Sequence, residues 1–384
     1  MTLVHRLRRD ERGVSIVYVT TGFLAFFIAT TLAIDVGMLT TARSQAQNAA
    51  DAGALAGAIA LALDDWDDRS PTGPAVQAAI NAARENLVIG GDVSVDPSDV
   101  TFPVAPNGEA NRVQVTVHRT AARNNPLSTF IAAVFGSATA DVSANATAHA
   151  APANAMTCVR PFTIPDKWIE NNVPPNGTFD RYDSRGRVIP DADRYAPAEL
   201  SYQPHVPVSD GGDKGRRFTL RAGTGNNIAP TFYYSWSMPG NNGEIGADWY
   251  EENIAACNPT SIPTGWPMTQ EPGNMMGPTN DGIDDLIAQD PTAYWDDDTS
   301  KVVSPLGRSP RVFPIPLYDP DYFQYGKMNG RNATLKVAGW IGFFVEGRTG
   351  NDVYGRMMPL LGTIDPDAGP APEGAVPRAV QLIE

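Results

Sequence analysis

Hydrophobic residues are concentrated near the start of the chain, where residues 13–34 form a run of 22 positions without a charged side chain. Asp35 closes the run, and four arginines precede it: Arg6, Arg8, Arg9 and Arg12. At about 1.5 Å rise per residue, a helix of this length is roughly 33 Å long and can cross a hydrocarbon core of about 30 Å. The pattern predicts a transmembrane anchor over residues 13–35.

A cleaved secretory signal is the alternative interpretation of this run. The apolar core of a signal is about 7–15 residues long and is followed by a small-residue cleavage site. This run is longer and passes into polar sequence without such a site, so we expect the anchor to stay in place. Because basic residues beside a span are retained in the cytoplasm, we expect residues 1–12 inside the cell and residues 36–384 outside it.

The helix is expected to continue beyond the span as an alanine-rich stalk over residues 36–68. Residues 39–63 contain no proline, and ten of these 25 residues are alanine, the best helix former. Small residues recur in steps of three and four, which is the spacing of a packing seam. One seam runs through Leu39, Ala42, Ala46, Ala49, Gly53, Ala56, Ala60 and Leu63, and a second through Ala50, Ala54, Ala58 and Ala62.

The partner of this seam is open at the level of sequence. Gly53 and Gly57 form a small-xxx-small pair that permits close approach of two backbones. The helix therefore packs either on its own domain or on a second copy of the chain, which would make a homo-oligomer through the stalk helix.

The rest of the chain predicts an α+β fold in two parts, a small α+β module over residues 69–150 and a β-rich domain over 157–384, joined by an Ala-Pro linker at 151–156. Residues 75–86 and 127–135 have helical spacing, whereas 112–118 alternate strictly, as in a half-buried strand. Short apolar runs between proline-rich and glycine-rich connections predict a mostly antiparallel sheet or sandwich in the second part. Further strands are predicted at 93–95, 141–149, 217–221, 231–238, 312–317, 334–346 and 352–364, and helices at 247–256 and 279–289.

The distribution of charge agrees with an exported body. The whole chain carries −14, and residues 1–12 carry +2 from four arginines, Asp10 and Glu11, so the remainder carries −16. An acidic domain stays soluble and is repelled by nucleic acid and by anionic membrane surfaces. We therefore expect no nucleic-acid partner.

Two cysteines, Cys158 and Cys257, fit the same location. A lone pair in an oxidising compartment usually forms a disulfide, and no neighbouring Cys or His stands at the spacing of a zinc site. We expect a Cys158–Cys257 bridge; free thiols or an intermolecular link are the alternatives.

A fixed order of short motifs marks the first 58 residues. Arg12 and Gly13 precede the span, Asp35 and Gly37 follow it, and a later segment contains Gln47, Asn48, Asp51 and Ala52. This order and spacing resemble the amino-terminal region of the TadE/TadG-like Flp (tight adherence) pilus-assembly proteins of bacteria. The resemblance implies an inner-membrane component of the pilus machinery, with inner-membrane pilus-assembly proteins or pilin-like subunits as partners. It implies no enzymatic activity and no cofactor.

The span departs from the processing site of prepilins, which are cut after a glycine and carry a glutamate five residues into the mature chain. Counted from Gly13, the fifth residue is Tyr18, and Glu11 lies before the glycine. We therefore expect no cleavage at Gly13.

Catalytic motifs are missing from the sequence. It contains no Gly-x-Ser-x-Gly elbow, no His-Glu-x-x-His helix and no Gly-x-x-x-x-Gly-Lys-Ser/Thr phosphate loop. Acidic residues are the remaining candidates for a site: Asp281, Asp284 and Asp285 supply oxygens of the kind that calcium binds. The simpler interpretation puts them in the first turn of a helix, where acidic groups complement the helix dipole.

These observations favour a non-catalytic, membrane-anchored component of a Tad/Flp-type pilus assembly or of an envelope scaffold, acting through protein–protein contacts. A cell-surface adhesin or ligand-binding module is the alternative, and a periplasmic hydrolase is a third hypothesis. The expected location is the bacterial inner membrane, with a single span and a cytoplasmic amino terminus.

Overall fold

The computed structural model describes residues 12–106, 108–223, 227–240, 246–271, 273, 275–328, 335–372, 374 and 377–383. Most of the predicted basic tail, residues 1–11, therefore lies outside the described residues. The chain divides into two compact units. The amino-terminal unit holds residues 1–58, 69–148 and 382–384, and the second unit holds residues 59–68 and 149–381.

The longest element is helix α1, Arg12–Leu63, with 52 residues. It runs from the apolar segment into the alanine-rich segment without interruption, as the absence of proline predicts. Its described side chains before Asp35, those of residues 14–30 and 32–34, are exposed, and one face is buried from Asp35 onward. The buried alanines come from both predicted seams, because Ala46 and Ala49 of the first and Ala50 and Ala54 of the second are all covered.

The amino-terminal unit covers this face with a short helix and a small sheet. Helix α2 is Pro74–Arg84, which begins with proline because the first helical N–H needs no partner. Strands β1 (Val100–Thr101), β2 (Arg112–Arg119) and β5 (Val142–Pro152) belong to one sheet. The alternating pattern of β2 buries Val113, Val115 and Val117. Strands β3 (Leu127–Ser128) and β4 (Thr139–Ala140) form a separate antiparallel hairpin.

The described residues of the second unit are rich in β-structure and include three α-helices that begin within the unit. The helices are α3 (Ala247–Ala255), α4 (Met276–Gln289) and α5 (Pro320–Met328). The strands are β6 (Ala155–Met156), β7 (Phe162–Pro165), β8 (Arg217–Ala222), β9 (Phe232–Ser235), β10 (Ile262–Pro263), β11 (Pro267–Met268), β12 (Tyr294–Asp296), β13 (Lys301–Val303), β14 (Val312–Tyr318), β15 (Leu335–Thr349) and β16 (Asp352–Met358). The last strand, β17 (Arg378–Ile383), belongs to the sheet of β1, β2 and β5.

Six of these strands close on themselves. The main sheet has the order β11-β15-β14-β7-β9-β8-β16, and β15 also pairs with β16. Antiparallel pairs dominate, but β7 pairs with β14 and β8 with β9 in parallel. Closure protects the backbone of the six strands from pairing with another chain. The predicted β-rich second part is thus present, with a mixed ring where the sequence predicts a mostly antiparallel sheet or sandwich.

The core of the second unit is aromatic, and a disulfide lies outside this core, between a half-buried and an exposed cysteine. Phe162, Phe313 and Phe343 pack in one cluster, with ring centroids 5.7 Å apart between Phe162 and Phe313 and 6.1 Å apart between Phe313 and Phe343. Cys158 and Cys257 are bonded, with Cα atoms 4.4 Å apart. The expected bridge is therefore present, and it joins the segment before β7 to the segment after α3.

Three local predictions differ from the structure. Residues 127–135 form strand β3, a bend and a 3₁₀ turn at Ala132–Phe135, not a helix, because hydrogen bonds to a distant side chain replace those of a helix. Residues 93–95 contribute only an isolated bridge, between Ser94 and His118. Helix α4 begins at Met276, so Asp281 lies beyond the first turn.

Candidate functional site: the membrane-length helix and its docking face

The first half of α1 presents apolar side chains to the surroundings. The described segment from Val14 contains a helix long and apolar enough to cross a membrane, and only 6% of its most apolar window is buried by the protein. Phe23 and Phe26 are each 70% exposed. A soluble protein would rarely leave so large an apolar surface uncovered, so this half of the helix is built for a lipid or protein environment.

Three threonine hydroxyls within this half are satisfied by the helix itself. The hydroxyls of Thr20, Thr21 and Thr30 donate to the carbonyl oxygens four residues earlier, at 2.7, 2.8 and 2.8 Å respectively. An unsatisfied hydroxyl in hydrocarbon would cost several kcal/mol, so these bonds lower the cost of placing threonine in a membrane. The threonines are therefore compatible with the predicted span.

Asp35 marks the point where the exposed half ends and the docked half begins. Its carboxylate is 5% exposed and accepts three backbone N–H bonds, from Phe130 (3.0 Å), Ile131 (3.0 Å) and Ala132 (2.7 Å). Hydrogen bonds to an ionised acceptor are stronger than those between neutral groups. The motif aspartate therefore fixes the 130–132 segment against the helix at the end of the predicted span.

Two glutamines extend the docking along the helix. The Gln45 side-chain oxygen accepts the backbone N–H of Ile89 at 2.7 Å. The Gln47 side-chain amide donates to the Asn145 carbonyl at 3.0 Å and to the Asp51 carboxylate at 2.8 Å. Of these two motif residues, Gln47 contacts strand β5 of the unit's own sheet, and Asp51 accepts a hydrogen bond from the same Gln47 amide.

Gly53 and Gly57 lie where the helix comes closest to its own unit. A Cβ added at Gly53 would be 3.0 Å from the Ala79 carbonyl oxygen and 3.2 Å from a methyl of Val115. A Cβ at Gly57 would be 2.8 Å from a methyl of Val113. The helix surface formed by the small-xxx-small pair therefore packs against α2 and β2. Of the two arrangements that the sequence leaves open, the structure shows packing on the protein's own domain.

The docked half thus carries an aspartate clamp, glutamine contacts and a glycine seam in a fixed order, directly after a membrane-length apolar half. Residues 13–60 match the Tad family model, Flp pilus-assembly TadE/G-like. The resemblance found in the amino-terminal motifs is confirmed. No curated protein and no solved structure is significantly similar to the chain.

The extent of the TadE/G-like region coincides with structural boundaries. It begins at Gly13, before the exposed half of α1, and ends at residue 60, next to the last turn of the helix. From Asp35 to Ala58 the docked part is about 35 Å long. The region therefore contains both the candidate anchor and the surface that joins it to the amino-terminal unit.

The acidic residues predicted as a calcium site lie in the second unit, on helix α4. Asp284 forms an ion pair with Arg348, whose Nε donates to one carboxylate oxygen at 2.6 Å; this contact lowers the pKa of Asp284. Within the part of the chain that the structure describes, no three His, Cys, Asp or Glu side chains are grouped so that they could hold a metal ion. Calcium binding by Asp281, Asp284 and Asp285 stays an untested prediction.

Sequence reasoning missed the partner of Asp35. The apolar spacing of residues 127–135 predicts a helix and gives no sign of the turn that presents three N–H groups in a row. A signal is nevertheless present in the sequence: no charged residue occurs from Pro126 to Ala140. That is unusual for a surface loop in a chain of which 19% is charged.

Proposed function

We propose that this protein is a non-catalytic, membrane-anchored component of a Tad/Flp-type pilus assembly, acting through protein–protein contacts. The observation that carries the proposal is the division of α1 at Asp35. The TadE/G-like region supplies a docked half, held to its own unit, and a half whose described side chains are exposed. The exposed half is the part available to other apolar helices.

Lateral packing in a membrane is the contact that this half supports. Helices associate in lipid through close packing and hydrogen bonds between small and polar side chains. Gly22 has nothing within 4 Å of the position that a Cβ would occupy, and Thr20 and Thr21 lie beside it in sequence. We infer that residues 13–35 anchor the chain in the inner membrane and contact inner-membrane assembly proteins or pilin-like subunits.

The orientation follows from the charges that flank the helix. The basic residues lie before the span, so the amino terminus is assigned to the cytoplasm and both units to the outside. The Cys158–Cys257 disulfide supports this orientation, because disulfides persist in oxidising compartments.

Replacing the span tests whether it only anchors the chain in the membrane or also contacts assembly proteins. In a strain lacking the gene, the full chain is compared with a variant in which residues 13–34 are replaced by an unrelated uncharged helix of 22 residues, with the basic tail and Asp35 retained. We expect the natural chain to restore pili and the variant to reach the membrane without restoring them.

Two outcomes would contradict the proposal. Normal pili in the deletion strain would remove the role in pilus assembly. Full restoration by the replaced helix would show that the span only anchors the protein, and the contacts would then have to be assigned to the two units. Membrane fractionation of both chains is the control for insertion.

A further inference from the structure

An uncharged hairpin lies beside the end of the membrane-length helix. Strands β3 and β4 pair Leu127 with Ala140 and Ser128 with Thr139. The backbone N–H of Thr129 donates to the Ala138 carbonyl at 3.1 Å and closes the loop at its base. Residues 126–140, named here the 126–140 hairpin, contain no Asp, Glu, Lys, Arg or His.

The loop of this hairpin is fixed to α1 by its backbone. The three N–H groups of Phe130, Ile131 and Ala132 all donate to the Asp35 carboxylate. Main-chain bonds place the segment independently of side-chain rotamers, so the whole turn follows the position of Asp35. The Phe130 side chain is 75% exposed, although a phenylalanine normally avoids water.

The depth of this turn follows from the length of the helix. From Gly13 to Asp35 the helix rises roughly 33 Å, or about 31 Å along the membrane normal at an average tilt of about 20°. The hydrocarbon core is about 30 Å thick, and about 40–45 Å with the headgroup regions included. Asp35, and with it the segment 130–132, therefore falls in the interfacial layer when residues 13–34 span a bilayer.

We propose that the 126–140 hairpin is a second membrane contact, with the ring of Phe130 inserted at the boundary between lipid headgroups and acyl chains. Aromatic side chains favour this layer because it accepts an apolar ring next to hydrated groups. The lack of charge removes the main cost of approaching lipid. Among the described contacts of the turn, the charged group at this depth is the Asp35 carboxylate. Three N–H donors cover it.

The occupant of the exposed Phe130 surface is lipid because the surface continues directly from the apolar half of α1. A helix that emerges from a bilayer passes through the interfacial layer. The segment bonded to Asp35, at the end of the span, lies in the same layer. The inference rests on the proposed function in one respect, the insertion of residues 13–34 in a membrane.

Depth-dependent quenching tests the inference on the full chain. A thiol-reactive environment-sensitive fluorophore is attached to variants that each carry one added cysteine, reconstituted in phosphatidylcholine vesicles. The native cysteines are bonded to each other and do not react. The probe sites are Phe130→Cys in the hairpin, Phe26→Cys within the span and Ile89→Cys as a matched control.

Ile89 is a suitable control because it is also an exposed apolar residue bonded to α1. Its N–H contacts Gln45, which is ten residues, or about 15 Å, beyond Asp35. We expect the emission of the probe at position 130 to be blue-shifted, because its surroundings are apolar. Lipids with a shallow spin label should quench this probe. Lipids with a deep spin label should quench position 26, and neither lipid should quench position 89.

Each of the other results has a distinct meaning. Quenching at position 26 with water-like emission at position 130 would overturn the hairpin contact and leave the anchor intact. A blue-shifted but unquenched probe at position 130 would indicate a protein neighbour and would also overturn the inference. No quenching at position 26 would refute membrane insertion itself, and with it the basis of the proposed function.

Discussion

Replacing Gly57 with leucine should separate the docked half of α1 from its own unit. The first added atom would already lie 2.8 Å from a methyl of Val113, 3.1 Å from the Ala79 Cβ and 3.2 Å from the Ala75 carbonyl oxygen. The last of these is a backbone atom of α2 and cannot rotate away. Gly57→Leu therefore requires the helix to move relative to α2 and β2.

The magnitude follows from two opposed effects. Overpacking a well-filled contact costs about 1–3 kcal/mol, and four added carbons against a backbone oxygen place this site at the upper end. Leucine recovers somewhat less than 1 kcal/mol, because it is a better helix former than glycine. The net loss is about 2 kcal/mol, which is about a 30-fold increase in the opening equilibrium.

Hydrogen exchange of backbone amides is the assay. The amides of α2 and β2 in the full chain, held in detergent micelles, should lose about 30-fold in protection if the helix leaves them. Gly37→Leu is the matched control, because it makes the same change in the same helix at a position with nothing within 4 Å. That variant should keep native protection in α2 and β2.

A seam that served self-association would respond differently. Gly57→Leu would then reduce the oligomeric state in micelles and leave the exchange of α2 and β2 unchanged. That result would refute the docking of α1 on its own unit.

Three further outcomes can be measured. Asp35→Asn should raise amide exchange at Phe130 and its two following residues, because the charged acceptor is lost; unchanged exchange there, with Asp51→Asn as control, would contradict the clamp. The double variant Cys158→Ser and Cys257→Ser should lower the stability of the second unit by up to about 4.7 kcal/mol for a loop of about 100 residues, and an unchanged urea midpoint would show that the bridge is absent or contributes nothing. Burial raises the pKa of Asp166 to about 6, so the native state keeps a proton that the unfolded chain releases near pH 4. The free energy of unfolding therefore decreases as the pH rises from about 4 to about 6. Asp166→Asn should reduce this decrease by about 3 kcal/mol, measured by urea titrations across this pH range. The same pH dependence of stability in both proteins would contradict the raised pKa of Asp166.

Much of the amino-terminal region was predictable because its determinants are local. The uncharged run, the alanine-rich continuation and the alternation of residues 112–118 each depend on neighbours along the chain, and α1 and β2 appear where those patterns place them. The order of motifs around Asp35 was also readable, since it requires only positions in sequence. The direct partners in pilus assembly require other molecules and stay proposals.

The misinterpretation of residues 127–135 shows where local pattern stops being sufficient. Their apolar spacing suits a helix, but the Asp35 carboxylate, about 95 residues earlier, accepts the N–H groups in a turn. A charged acceptor that can satisfy three donors outweighs a weak helical preference. No periodicity within the segment reports a side chain so distant in sequence.

The sequence by itself determined that the chain has a membrane-length helix, an alanine-rich continuation and a cysteine pair, because composition and spacing act within a few residues of each other. Only the tertiary structure decided that the glycine seam faces α2 and β2, that six strands close into a mixed ring and that Asp35 holds an uncharged hairpin at the end of the span. Those features depend on contacts between segments far apart in the chain, where close approach and hydrogen-bond satisfaction, not local pattern, select the partner.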